Sequence, residues 1–444
     1  MGRGSVRLAG GRADFARVWR LPYREPMATP SKASTGSPPL DEDQIILGPI
    51  HEAGDDEPRS EQVQAFLSAV IQSEHLNLLV GAGLTSALAH AAGAKTGSAG
   101  MTGMITTSDR ALNEALEDAA KESASRALRG DGNIEDRLRV ALATLPGLRL
   151  IGDSRADELD EAIGTALRAL AGQIAESEHG ILHGATTENA RSLLSGFLRS
   201  FAARVPTRDR LHVFTTNYDR VLEWGAERSG LRVVDRFVGT LRPVFRSSRL
   251  EIDYHYSPPG SVREPHHLDG VIRLTKLHGS LDWVSDAIDI VRVPTPFGSA
   301  PRDPGDVLIY PVASKDRETS EYPYSDLFRD LSAALCRPNS ALLTYGYGFG
   351  DDHINRVIRD MLTIPSAHLV IIAYGDPTGR ITRFHAEHSH TGQVSLLYGP
   401  KYADLQALVE RWLPWPASEP LARAQIEILR ATTAASPSAS AGTA

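Results

Sequence analysis

The sequence predicts an α/β fold: a Rossmann-like, doubly wound and mainly parallel sheet with an inserted helical subdomain. Short β-prone apolar runs alternate with segments of helical apolar spacing, as expected for strands covered by helices on both faces. Several apolar runs also stop abruptly in glycine-rich or small polar turns, which are typical of strand-to-helix connections. The length of 444 residues, with 41% hydrophobic and 23% charged residues, suits one large core with insertions or two domains.

The first 55 residues are predicted to form a disordered N-terminal extension. Residues 1–40 are rich in arginine, serine and proline and contain few acidic residues. A targeting segment and a translation start at Met27 both account for this composition, and we favour the start at Met27.

The nucleotide-binding core is predicted to begin with a helix over 61–73 and a strand over 76–80. Residues 97–210 then have mostly helical spacing, with helices expected over 112–127, 134–145, 158–174 and 190–203. A segment this long is not expected to be a structureless loop within a compact domain. We therefore predict a helical insertion at about 97–210 between the first two strands of the core.

The core resumes at Leu211 and continues to about residue 415. Further strands are expected over 232–235, 271–275, 307–310, 341–345, 368–374 and 393–397, and helices over 324–334, 353–362 and 403–412. Several prolines make 237–270 irregular. The chain is thus divided into residues 1–55, a domain over 60–415, and a C-terminal helix or disordered tail over 416–444.

Composition excludes or disfavours several functional classes. A single cysteine, Cys336, rules out both an internal disulfide framework and a four-cysteine zinc site, and it fits a reducing cytoplasm. The net charge of −8 argues against direct nucleic-acid binding, and no apolar run is long enough to span a membrane. His385, His388 and His390 do not match a metalloprotease motif, so we expect no metal.

Four motifs carry the expected chemistry, each where a strand ends. They are Gly81-Ala82-Gly83, Thr215 to Asp219, Lys276 to Ser280, and Gly346 to Asn355. Because ligands of open α/β sheets bind at the carboxyl ends of the strands, these turns predict one nucleotide site.

The residue types suggest separate roles. The glycine turn allows close approach to a pyrophosphate, but Ser86 stands where a dehydrogenase fingerprint has its third glycine, so a tight connection is the alternative. Asn217 can hold a water or a ribose hydroxyl, whereas Asp219 could contact ligand or cap the next helix. His278 is a candidate general base, with a structural role as the alternative.

The four motifs, in this order, resemble the sirtuin-like NAD-binding domain of bacterial antiphage defence, over roughly residues 60–400. The resemblance implies that NAD is bound as a substrate and that Asn217 and His278 are catalytic. The cofactor-binding residues expected with them are Gly81, Ala82, Gly83, Ser86, Thr216, Asp219, Gly346, Tyr347 and Phe349.

Departures from deacylating sirtuins point to water as the acceptor. Their four-cysteine zinc module cannot be formed, and Ala87 to Ala92 replaces the Gly-Ile-Pro-x-Phe-Arg stretch that follows their glycine turn. The resemblance then implies an NAD+ glycohydrolase that depletes NAD in infected cells. It also implies assembly with a HerA-type hexameric translocase ATPase, and we expect a homo-oligomer. A non-catalytic NAD or ADP-ribose sensor and a DNA-processing subunit are the alternatives.

Overall fold

The structure is a computed structural model that describes residues 43–47, 60–95, 103–126, 132–204, 208–248, 252–256, 266–286, 289–301, 307–309 and 322–414. The predictions for residues 1–42 and 415–444 lie outside these ranges. Within them, no helix combines the length and apolarity that crossing a membrane requires.

Twelve helices are described in these ranges. They are α1 (Ser60–Ile71), α2 (Ala82–Ala91), α3 (Arg110–Arg126), α4 (Ile134–Leu150), α5 (Arg155–His183), α6 (Thr187–Ala202), α7 (Val221–Arg228), α8 (Tyr324–Leu335), α9 (Asp352–Leu362), α10 (Arg380–His388), α11 (Pro400–Ala403) and α12 (Leu405–Ala407). A π-helical turn, Leu408–Trp412, follows α12.

Fifteen strands are described in the same ranges. They are β1 (Gln44–Ile46), β2 (His75–Val80), β3 (Leu211–Thr215), β4 (Arg232–Val234), β5 (Phe237–Val238), β6 (Val244–Phe245), β7 (His255–Tyr256), β8 (His266–His267), β9 (Val271–Lys276), β10 (Gly279–Asp286), β11 (Asp289–Arg292), β12 (Val307–Ile309), β13 (Ser340–Tyr345), β14 (His368–Ala373) and β15 (Val394–Tyr398).

The central sheet has eight strands in the order β1-β15-β14-β13-β2-β3-β9-β4. All neighbouring pairs are parallel except β1 with β15. From β2 the chain first builds outward through β3, and it later returns to place β13 on the other side of β2. The order therefore reverses between β2 and β13, and such a switch point is where open α/β sheets bind ligands.

Alternate residues of the central strands face opposite layers. Leu78 and Val80 pack in a core that includes α1, α2 and α6, whereas Leu79 packs in a second core with α8 and α9. This alternation follows from the two-residue period of a strand, and both faces are covered by apolar helix faces. The predicted doubly wound α/β fold is confirmed.

The helical insertion consists of α3, α4 and α5, which share a separate core. Leu138, Leu159 and Ile163 are buried there, and Tyr218 and Leu281 of the main domain pack against them. Helix α6 lies within the predicted insertion at 97–210, but its Phe197 and Phe201 pack in the core of α2 and the sheet. It therefore acts as a crossover helix between β2 and β3.

Three local predictions differ from the structure. Gln44–Ile46 lies within the extension predicted to be disordered, yet it pairs antiparallel with β15. The region predicted to be irregular contains β5 and β6, which join β11, β10 and β12 in a second, antiparallel sheet. The helix predicted over 403–412 is interrupted at Asp404, whose backbone is extended and whose side chain caps α12.

Candidate active site

The four predicted motifs come together at the carboxyl edge of the central sheet. Their strands are the neighbours β13, β2, β3 and β9. The Gly81 N–H donates to the Tyr345 carbonyl at 3.0 Å, and the Leu277 N–H donates to the Thr215 carbonyl at 2.8 Å. The predicted convergence of the turns on one edge is thus found in the structure.

The glycine turn is shaped by its contact with the turn after β13. A Cβ on Gly81 would lie 2.4 Å from the Gly346 carbonyl oxygen, and one on Gly83 would lie 2.5 Å from the Gly346 Cα. Gly346 itself has a φ of 62°, which favours glycine. These glycines therefore allow two backbone turns to touch at the switch point.

The same contact occupies two of the donors expected to hold phosphate. The N–H groups of Gly81 and Gly83 donate to the carbonyls of Tyr345 and Gly346, at 3.0 and 3.1 Å. Ala82 and Ser86 lie on an exposed part of α2, where the Ser86 hydroxyl donates to the Ala82 carbonyl at 3.3 Å. Phosphate binding by this turn stays a prediction, and any such contact requires donors other than the Gly81 and Gly83 amides.

The Asn217 side chain is fixed through its NH₂ group, which leaves its amide oxygen, Oδ1, open to a ligand. It is 8% exposed, and its Nδ2 donates to the Gly81 carbonyl at 3.1 Å and to Thr85 Oγ1 at 3.2 Å. Its backbone N–H donates to Thr215 Oγ1 at 3.0 Å. No described residue donates a hydrogen bond to Oδ1. That oxygen can therefore accept from a water or a sugar hydroxyl.

Asp219 holds the Asn217 amide in place through Thr85. Its Oδ2 accepts from the Thr85 hydroxyl at 2.7 Å, and its Oδ1 accepts from the Val221 N–H at 3.2 Å at the start of α7. Thr216, the other candidate in this turn, is half-buried, and its N–H donates to the Val80 carbonyl at 3.4 Å. Asp219 thus bonds the first N–H of α7 and fixes Thr85, which in turn fixes the Asn217 amide.

His278 lies in the turn between β9 and β10 and pairs with a carboxylate. Its Nε2 is 3.0 Å from Oδ2 of Asp351, and its side chain is 16% exposed. Burial acts to lower the pKa of His278, but the hydrogen bond and charge of Asp351 outweigh it and raise that pKa above its ordinary value. Burial acts to raise the pKa of Asp351, but His278 and backbone N–H donors bring it down to about 2.

The aromatic residues of the fourth motif are core residues in this structure. Tyr347 and Phe349 are 6% and 3% exposed. The Tyr347 hydroxyl donates to Asn355 Oδ1 at 3.0 Å, and the ring of Phe349 lies 4.6 Å from that of Phe384. These contacts pack the turn against α9 and α10. A role for Gly346, Tyr347 and Phe349 toward adenosine stays a prediction.

Sequence reasoning assigned no role to three residues at this site. Asp351 stands inside the fourth motif, where an aspartate before a helical segment is a capping signal, and Thr85 follows the glycine turn by two residues. Glu135, in the first turn of α4, accepts from the Tyr218 hydroxyl at 3.1 Å. The Tyr218 ring lies 6.2 Å from that of His278. Nothing in the local sequence connects Glu135 to a strand turn that lies 83 positions away.

No group of three or more histidine, cysteine, aspartate or glutamate side chains suited to a metal ion is found in the described ranges. His385 is buried, whereas His390 is exposed. The candidate site contains an asparagine amide, an imidazole and the carboxylates that support them.

Comparison with known proteins gives a family match over part of the chain. No curated protein matches the chain. Residues 211–391 match the family model described as a SIR2-like domain. The matched range contains Asn217, His278, Asp351 and the Gly346 turn, and it begins after the glycine turn of β2. The match supports a sirtuin-like domain in this chain and, with it, an activity related to NAD.

Proposed function

We propose that this protein is an NAD+ glycohydrolase, which cleaves NAD+ to nicotinamide and ADP-ribose. The observation that carries the proposal is the placement of Asn217 and His278 at the ends of the neighbouring parallel strands β3 and β9. One presents an unused carbonyl oxygen, and the other presents an imidazole paired with a carboxylate. Both lie within the range that matches a SIR2-like domain.

Cleavage of this bond needs little general acid catalysis. When the bond between C1′ of the ribose and the nicotinamide nitrogen breaks, its electron pair neutralises the cationic ring, and nicotinamide leaves uncharged. The ribose develops oxocarbenium character and is attacked at C1′ by a water oxygen. Asn217 Oδ1 accepts a hydrogen bond from that water or from a ribose hydroxyl, and His278 takes up the proton that the water loses. The site must position one water and exclude the others.

Water is favoured as the acceptor over an acyl-lysine. The zinc module that shapes the peptide groove of deacylating sirtuins needs four cysteines, and this sequence has Cys336 alone. Cys336 is partly buried at the end of α8, and its thiol lies 3.9 Å from the Val357 carbonyl. It therefore takes part in packing between α8 and α9.

The biological role we propose is antiphage defence by NAD depletion, in complex with a HerA-type hexameric ATPase. Support comes from the ordered set of four motifs, which resembles the stand-alone sirtuin-like subunit of such systems. Mixing the purified chain with a HerA-type ATPase and measuring particle mass tests the partnership. We expect a joint assembly, and unchanged masses of the two separate proteins would contradict it.

The activity is tested by chromatography of NAD+ incubated with the full chain, alone and with the ATPase. We expect nicotinamide and ADP-ribose from the wild type. Asn217→Ala and His278→Ala should each lower turnover about 10²- to 10⁴-fold, the usual range for loss of a positioned acid–base group. His390→Ala, at an exposed histidine, is the matched control and should retain activity.

Two results would overturn the proposal. Near-normal turnover by both site variants would remove Asn217 and His278 from the chemistry. Intact NAD+ with the wild type, even in the presence of the ATPase, combined with NAD+ binding measured by calorimetry would indicate a sensor instead.

A further inference from the structure

We propose that Asp351 is a positioning residue that sets the tautomer of His278, so that Nδ1 is the atom that accepts a proton. The catalytic consequence rests on the proposed function, whereas the tautomer itself is a property of the protein without substrate. The two carboxylate oxygens of Asp351 have different partners.

One carboxylate oxygen of Asp351 accepts hydrogen bonds from the first turn of α9. Asp351 is the N-cap of α9, and its Oδ1 accepts from the N–H groups of His353 and Ile354 at 2.8 and 3.2 Å. These bonds fix the plane of the carboxylate at the positive end of α9. Its Oδ2 is then directed at His278 Nε2, 3.0 Å away. The helix therefore holds the carboxylate, and the carboxylate orients the ring.

The charge state of Asp351 decides which ring nitrogen carries hydrogen. With its pKa at about 2, the carboxylate is ionised at neutral pH and can only accept hydrogen bonds. Nε2 of His278 must then be the donor, so the neutral imidazole has its lone pair on Nδ1. Nδ1 makes no hydrogen bond to any described residue, which leaves it available to a water.

Other groups around the ring act on its basicity. Besides Asp351, Glu135 of α4 contributes a negative charge that raises the pKa of His278, and the Tyr218 ring lies beside the imidazole. Glu135 bonds to Tyr218 and makes no hydrogen bond to His278. Both carboxylates therefore favour the protonated ring, but the direct contact that selects a tautomer comes from Asp351.

Two substitutions separate this role from helix capping. Asparagine and serine are both good N-cap residues, so Asp351→Asn and Asp351→Ser should each keep the start of α9. The asparagine amide can turn its NH₂ group toward His278, which forces Nε2 to accept and moves the hydrogen to Nδ1. Serine is shorter and leaves the ring free to adopt either tautomer. The isosteric variant should therefore be the more damaged one.

We expect turnover to decrease in the order wild type, Asp351→Ser, Asp351→Asn. We expect kcat of Asp351→Asn to fall about 10³- to 10⁴-fold, as when a wrong tautomer is imposed on a catalytic histidine. For Asp351→Ser we expect a fall of about 10- to 100-fold. KM should change little, because Asp351 acts through His278 and makes no substrate contact. If Asp351 were only a cap, the isosteric Asn variant would be at least as active as the Ser variant, and that order would overturn the proposal.

A readout without substrate keeps this test independent of the proposed function. Imidazole ¹⁵N spectra of the full chain, labelled at histidine and assigned with His278→Gln, report the tautomer at a pH above the pKa of His278. We expect hydrogen on Nε2 in the wild type and on Nδ1 in Asp351→Asn. Hydrogen on Nδ1 in the wild type would overturn the inference. The expected spectra from a chain that does not cleave NAD+ would uphold it while the glycohydrolase proposal fails.

Discussion

Glu178 and Arg220 form a buried ion pair that joins the helical insertion to the turn carrying Asn217. Glu178 of α5 is fully buried, and its Oε2 lies 2.5 Å from the Arg220 guanidinium. The carboxylate also accepts from the N–H groups of Arg220 and Gly298, at 2.7 and 2.9 Å. Arg220 in turn donates to backbone carbonyls within 295–299. Three separate segments are therefore held by one pair with its hydrogen bonds satisfied.

Breaking this pair should destabilise the fold strongly. In Glu178→Gln the Arg220 guanidinium stays buried without its counter-charge, and removing one partner of a buried pair costs roughly 3–5 kcal/mol. Denaturant unfolding measures the loss. Glu188→Gln is the control, because Glu188 is 81% exposed beside Arg191 and should change stability by less than about 0.5 kcal/mol. A loss below about 1 kcal/mol in Glu178→Gln would show that the pair does not hold these segments.

The contact between the turns after β2 and β13 predicts a second difference in stability. In Gly83→Ala the new Cβ would meet the Gly346 Cα at 2.5 Å, so the two backbones must separate. Overpacking of this kind costs about 1–3 kcal/mol. Gly375→Ala, after β14 at the same edge of the sheet, meets nothing within 4 Å. It should be neutral or stabilising by up to about 1 kcal/mol, and equal losses in both variants would contradict the role of the close contact.

The sequence was sufficient for features that depend on local pattern. The apolar runs of β2 and β13 and the glycine turns that follow them predict buried parallel strands, and parallel strands necessarily share a carboxyl edge. Asn217 and His278 could be placed at one site for this reason alone.

Features that depend on distant partners could not be predicted. The hydrogen bond from the Thr85 hydroxyl to Asp219 Oδ2 joins residues 134 positions apart, so the local sequence could not show it. Tyr347 and Phe349 follow glycines in a turn, so their local pattern does not show that α9 and α10 bury them. The strand Gln44–Ile46 is short and weakly apolar, and its pairing comes from the free edge of β15. Packing and pairing of this kind are tertiary effects that outweigh local propensity.

Thr85 should matter to both stability and turnover. Its hydroxyl donates to Asp219 Oδ2 at 2.7 Å and accepts from Asn217 Nδ2 at 3.2 Å. Thr85→Val keeps the shape but leaves both partners short of a hydrogen bond, at a cost of about 1–3 kcal/mol. Turnover of NAD+ should fall with it, because the Asn217 amide loses one of its two acceptors. Thr85→Ser retains the hydroxyl and should be close to the wild type in stability and turnover. Equal activity of the Val and Ser variants would show that the Thr85 hydroxyl does not hold Asn217 in place for the reaction.

Turnover should depend on the protonation of His278. In the proposed mechanism the neutral ring is the base. Its pKa is raised by Asp351 and Glu135, so kcat/KM should rise with pH through that raised pKa and then level off. In Asp351→Asn the carboxylate that favours the charged ring is lost while the burial of the ring remains. The rise of kcat/KM should therefore occur at lower pH than in the wild type. A pH–rate profile of each protein measures the shift. If kcat/KM rose over the same pH range in both proteins, a group other than His278 would control the pH dependence.

The same pair predicts that stability changes in the opposite direction to activity. Because the folded-state pKa of His278 is raised, protonation of the ring stabilises the fold. That contribution is fully present below the unfolded pKa of about 6.5 and is lost as pH rises through the folded value. The free energy of unfolding of the wild type, relative to His278→Gln, should therefore shrink over the pH range in which turnover grows. A difference that stays constant over this range would show that His278 and Asp351 do not form a charged pair in the folded protein.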